Sequence, residues 1–180
     1  MTSDQTYHEA FDFPAPAETV FDVIWAQPTQ SKMPKLGDIL ETATISGKPG
    51  VVGFQQQVRM HHGGLDLVMI EVLTAFERPH KVVVQQTPDC LQRHDPNERD
   101  VPFLETTLGD LDAEFLYQFG DPPFQTEVTM DLTPQGQDTR LTVTVKSIDM
   151  PKLGWFKRRA WRTQVKQKVA GIADRISAGL

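Results

Sequence analysis

Residues 151–180 read PKLGWFKRRAWRTQVKQKVAGIADRISAGL, and their spacing decides the fold. Trp161, Val165, Val169, Ile172 and Ile176 recur at intervals of four, four, three and four, which places them on one face of a helix. Pro151 and Gly154 mark its beginning, good helix formers fill its interior, and Gly179 stands where a terminating glycine is expected. A helix of about 24 residues is some 36 Å long at 1.5 Å per residue, enough to cross a whole domain.

Upstream of this helix the period changes. Runs that alternate, or are continuously apolar, are separated by turn residues, as strands require. Seven strands are predicted: Tyr7 to Phe13, Ile39 to Ser46, Val51 to Met60, Leu65 to Phe76, Lys81 to Thr87, Phe124 to Leu132 and Thr139 to Asp149. A short helix between the first two opens at Pro16, carries Val20, Phe21, Ile24 and Trp25 on one side, and stops at Pro28. Tight connections at residues 47–50, 61–64, 77–80 and 134–137 join antiparallel neighbours. In the last hairpin Phe124, Val128, Met130 and Leu132 share one face and Gln125, Glu127, Thr129 and Asp131 the other, so one side of the sheet is wet. The expected class is α+β, with a single domain over residues 1–180.

The long connection is the acidic stretch from Pro88 to Asp112, where seven acidic residues stand against two arginines. Loops of such length are functional or mobile. The run Ala113 to Phe119, with Phe115, Tyr117 and Phe119 alternating, reads either as an extra strand or as the first half of the sixth.

A chain of 180 residues buries roughly 70% of its unfolded surface and needs no disulfide or structural metal. Its one cysteine, Cys90, cannot form an internal disulfide or a paired-thiol zinc site and reads as an ordinary thiol. Neither a secretory leader pattern nor an apolar run long enough for a membrane span is present, so a cytoplasmic location is expected. The net charge of −6 argues against a general nucleic-acid binder. The charge is uneven, however: from Lys152 to Arg175 eight basic residues and one acidic leave +7, and the remainder carries −13.

Two phrases resemble a known family. Residues 13–24, FPAPAETVFDVI, and residues 131–143, DLTPQGQDTRLTV, are similar to the opening and the glycine-turn strand of the START-related, pollen-allergen-like superfamily that includes polyketide cyclase and dehydrase proteins, SRPBCC for short. The resemblance covers nearly the whole chain apart from the acidic insertion at about 88–112. It implies a helix-grip fold: a curved seven-stranded antiparallel sheet around the C-terminal helix, with a cavity between them for lipids, polyketides, steroids or other apolar compounds. The chain departs from the pattern after the first helix, where Gln30-Ser31-Lys32-Met33-Pro34 replaces the tryptophan many relatives carry.

A meander of strands two to seven would bring His61 and His62, the acidic insertion with Cys90 and His94, and the Asp149–Lys152 corner to one rim, the candidate entrance. Phe54, Val58, Met60, Leu67, Met69 and Leu73, with Phe115, Tyr117, Trp161 and Val165, are the expected ligand-facing residues, although such strand faces are also what plain core looks like. Glu71 shares the face of Met69 and Leu73 and, if inside, needs a partner or a raised pKa. Catalytic candidates are His61, Asp66 and Glu71. His61 faces Asp66 in one hairpin register, an imidazole oriented by a carboxylate; in the register shifted by one pairing, Arg59 faces Asp66 as a simple ion pair. Adjacent histidines on a strand point to opposite faces, so no metal site is expected, and no cofactor-binding motif is present.

The basic helix admits a solvated outer face, contact with the acidic insertion, or attachment to another surface. Three functions follow: a carrier of a small apolar molecule, a cyclase- or dehydratase-type enzyme acting on a carbonyl compound, or an interaction module docking through that helix.

Overall fold

The computed structural model describes residues 5–26, 32–33, 37–62, 65–93, 101–102, 125–148 and 155–180. The chain runs β1 (Thr6–Phe13), α1 (Ala17–Trp25), β2 (Lys32–Met33), β3 (Gly37–Ser46), β4 (Gln55–His62), β5 (Leu65–Glu77), β6 (Lys81–Arg93), β7 (Val101–Pro102), β8 (Thr126–Gln135), β9 (Asp138–Ser147) and α2 (Trp155–Gly179). Every pairing is antiparallel, in the order β1-β9-β8-β6-β5-β4-β3-β2, with the two-residue β7 on β6. Seven long strands therefore form the curved sheet that the sequence predicts, with two short segments added.

Bulges supply the curvature. The ladders slip between Ile39 and Glu41 and between Thr44 and Ser46 on β3, and between Val68 and Met69 and between Leu73 and Ala75 on β5. Each slip bends its strand and deepens the twist, which lets the sheet wrap a helix. One slip also corrects a boundary. Pro88 was expected to end the fifth long strand at Thr87, yet β6 continues to Arg93, because Pro88 sits opposite Met69 at a bulge, where a residue without an N–H is tolerated. The long connection consequently begins after Arg93 instead of at Pro88.

A second boundary moves for a different reason. Val51 and Val52 look like strand, but they are 52% and 58% exposed, and β4 begins only at Gln55. Gly47, Gly50 and Gly53 hold positive φ values of 81°, 78° and 90° and wind the chain into a longer turn. Gly53 N–H donates to Leu73 O at 2.8 Å, and Leu73 N–H to Phe54 O at 2.9 Å, which anchors this turn on β5.

Helix α1 starts after Pro16, which occupies the cap and not the first helical position, and buries Ala17, Val20 and Phe21. Its aromatic side packs edge-on against Phe76 of β5, with centroid distances of 5.2 Å to Phe21 and 4.7 Å to Trp25. In α2 all five periodic residues, Trp161, Val165, Val169, Ile172 and Ile176, are buried in the main core with Phe54, Leu73, Val128 and Val145. Gly179 differs from expectation. It is the last helical residue with no left-handed φ, and a Cβ there would lie 2.6 Å from Val23 Cγ1 of α1. The glycine lets two helices touch; it does not terminate one.

Candidate functional site

The concave face of the sheet is not uniformly apolar. Following the register from strand to strand, Thr44 pairs with Gln56, Gln56 with Glu71, Glu71 with Gln86, Gln86 with Thr126 and Thr126 with Ser147. Paired residues share a face, so these six polar side chains form one row across the sheet. Gln86, Thr126 and Ser147 are buried at 9%, 3% and 0% exposure.

Glu71 is the centre of the row. Gln56 Nε2 donates to its Oε2 at 2.7 Å and Gln86 Nε2 to its Oε1 at 2.6 Å, so both carboxylate oxygens are engaged. Helix α2 closes the network from above: Lys168 Nζ donates to Gln86 Oε1 at 2.9 Å while the lysine is only 9% exposed. Arg175, one heptad further along α2, has its guanidinium pKa pushed down by burial, an effect opposed by the negative charge of Glu71. Its Nε and the indole Nε1 of Trp161 are buried without a hydrogen-bond partner among the described residues.

The row divides the interior. On one side Phe54, Leu73, Val128 and Val145 belong to the main core, together with Trp161 and Val165 of α2. On the other side Val58 and Met69, opposite one another in register, are buried at 4% and 2% but stand outside that cluster. They lie toward the end of β4 and β5 where His62 pairs with Leu65, the end expected to form the entrance. Met60 and Leu67 pair at the next position and His61 with Asp66 beyond them, which selects the first of the two registers considered, with Arg59 opposite Val68. The side chains of Met60, His61, Asp66 and Leu67 lie outside the described residues, as do Phe115 and Tyr117.

Of the catalytic candidates, Glu71 is therefore joined to described polar groups. The residues that sequence reasoning missed are Gln56, Gln86, Lys168 and Arg175. Lys168 was counted with the solvated basic face of the helix; it points inward instead. A signal was present, because Trp161, Lys168 and Arg175 are spaced by sevens and so share the stripe that faces the sheet.

A smaller cluster stands on β1, where Tyr7 and Glu9 alternate onto the inner face opposite Val145 and Val143. The Tyr7 hydroxyl donates to Glu9 Oε2 at 2.5 Å. Burial, then the bond to Glu9 and its charge, push the phenol up to about 12, with Arg162 of α2 opposing.

No protein-family model matches the sequence, and no curated protein matches it significantly. Solved structures do match. Ara h 8.0201 aligns with a TM-score of 0.63 at 15% identity, covering 98% of this chain and 97% of that one. A Rhizobium loti protein aligns at 0.60 and 16% identity over 100% and 99% of the two chains. Norcoclaurine synthase from Thalictrum flavum, in complex with dopamine and hydroxybenzaldehyde, aligns at 0.58 and 15% identity over 98% and 86%. At such identities the shared property is the fold, and the chain adopts the helix-grip fold of these structures, a curved antiparallel sheet around a C-terminal helix. Among the described residues no helix is long and apolar enough to cross a membrane.

Proposed function

We propose that this protein binds a small, largely apolar molecule between the sheet and α2, on the Val58–Met69 side of the polar row, and that the row recognises a carbonyl or hydroxyl group on it. The observation that carries this reading is the buried hydrogen bond between Lys168 and Gln86, continued to Glu71. Ionic groups under a helix cost desolvation that an apolar core of the same volume would avoid. A mostly apolar pocket with a few convergent polar groups is what a small-molecule site requires. Support from the fold comes from the synthase of Thalictrum flavum, which holds small aromatic molecules with polar substituents.

Native mass spectrometry of freshly purified protein, followed by titration with lipids, sterols and aromatic polyketides, tests the proposal. A retained mass or saturable binding is expected. A protein that is empty and ignores the whole panel overturns it.

A second reading is favoured by the linkage of a carboxylate, an amide and an ammonium in one network. Glu71 and Lys168 would then serve as an acid–base pair in a cyclase- or dehydratase-type reaction on a carbonyl compound. Glu71→Gln and Lys168→Met would each abolish turnover while leaving ligand binding within a few-fold. If both variants lose binding and no turnover is found in the parent, the carrier reading stands alone.

A further inference from the structure

A groove of about 600 Å³ lies between residues 6–8 of β1 and the first half of α2, where Trp155, Arg158, Arg159, Arg162 and Lys166 form its wall. The two walls have complementary chemistry. β1 is the last strand of the sheet and pairs only with β9, which leaves the outer backbone groups of its eight residues without a strand partner among the described residues. Open edges accept an added strand.

The helix wall is cationic. Arg158, Arg159, Arg162 and Lys166 are exposed, and none makes an ion pair with a described residue. The first turn of α2 has no acidic residue, so the positive end of the helix dipole adds to these charges instead of being offset. Trp155, 64% exposed, holds the Arg159 guanidinium over its ring at 5.8 Å.

Charge and strand alternation select the occupant. Arg158, Arg162 and Lys166 are four residues apart, an axial step of about 6 Å on a helix. Alternate residues of an extended strand are about 6.8 Å apart. A strand added to β1 turns every second side chain to the face of the sheet that α2 covers. The −13 carried outside the Lys152–Arg175 segment opposes long polyanions and anionic membranes, which need a broad basic surface.

We propose that this groove docks an extended acidic segment of a partner protein, which adds as a strand to β1 and sets alternate carboxylates against Arg158, Arg162 and Lys166. The test uses the full chain and a fluorescein-labelled ten-residue peptide of alternating glutamate and threonine, read by fluorescence anisotropy. Binding is expected to weaken at least about tenfold when glutamine replaces glutamate, and by a similar factor in the Arg158→Gln/Arg162→Gln/Lys166→Gln variant, whose thermal midpoint confirms that it is folded. A peptide with proline in place of threonine keeps the charge but loses every second backbone donor and should also fail to bind, while the parent peptide should protect residues 6–13 from hydrogen exchange.

Equal binding of the proline peptide overturns strand addition. Tighter binding of a ten-nucleotide single-stranded RNA or of phosphatidylserine vesicles, lost in the same variant, overturns the assignment to an acidic protein segment. None of these basic residues belongs to the polar row, so the result is separable from the fate of the cavity proposal.

Discussion

Lys168 Nζ donates to Gln86 Oε1 across 2.9 Å, a bond that joins the middle of α2 to β6 with both side chains buried. Removing one member leaves the other desolvated. Gln86→Leu deprives a buried ammonium of one acceptor and Glu71 of a donor, and should cost about 1–3 kcal/mol. Lys168→Met costs less, because an amide that loses one partner is cheaper than a charge that does. In the double variant the losses should be sub-additive, with a coupling of roughly 0.5–3 kcal/mol in urea unfolding. Strict additivity would show that the two residues do not act on one another.

Residues on the two sides of the polar row should respond differently to volume. Leu73→Ala opens a cavity in the main core and should destabilise by about 2–5 kcal/mol. Val58→Phe adds volume where the proposed ligand lies. In a filled interior such overpacking costs about 1–3 kcal/mol. In a pocket it should cost less than about 1 kcal/mol in ligand-free protein and weaken ligand binding at least about tenfold. A Val58→Phe penalty as large as that expected of a filled core would mean there is no pocket beyond the row.

The contrast between Glu71 and its neighbours shows what periodicity conveys. Strand alternation placed Glu71 on the face of Met69 and Leu73, because a charge between two apolar positions stands out. Gln56 and Gln86 did not stand out, since an uncharged polar residue on a strand reads as its wet side. Their meeting at Glu71 depends on register, and the register contains bulges that no repeat of two reveals. The long helix and the meander were legible because Trp161 to Ile176 and the tight turns act locally. Lys168 was not, because a helical lysine is ordinarily solvated, and only the partner strand shows why this one is not.

Tyr7 gives a pH signature. The phenol ionises at about 12 in the folded chain against an ordinary 10, first because it is buried and then because Glu9 holds and repels it. A folded pKa above the unfolded one means the contribution to stability is complete below pH 10 and is lost as pH rises from about 10 to about 12. The stability of the wild type should therefore fall across that window with a slope that Tyr7→Phe lacks. Absorbance titration should find one of the two tyrosines late. Glu9→Gln should bring that transition down, and Arg162→Ala should raise it further. A late transition that survives in Tyr7→Phe would assign it elsewhere.

The junction of the two helices yields the last prediction, and it runs against helix propensity. Alanine is favoured over glycine in a helix by about 1 kcal/mol, so Gly179→Ala would stabilise an isolated α2. In the folded chain the new Cβ would lie 2.6 Å from Val23 Cγ1 and 3.4 Å from Cγ2. Valine cannot swing aside cheaply, because branching at Cβ restricts its rotamer within a helix. Relief requires α1 to shift against α2, and α1 is itself held by Phe76 and by Arg78, which binds Asp22 at 2.7 Å. The net effect should be a loss of about 1–2 kcal/mol in urea unfolding. Val23→Ala in the same chain removes both clashing methyl groups and should recover most of that loss, although the same change in the wild type is destabilising. If Gly179→Ala is instead neutral or stabilising, the contact between α1 and the end of α2 is loose and the glycine serves no packing role.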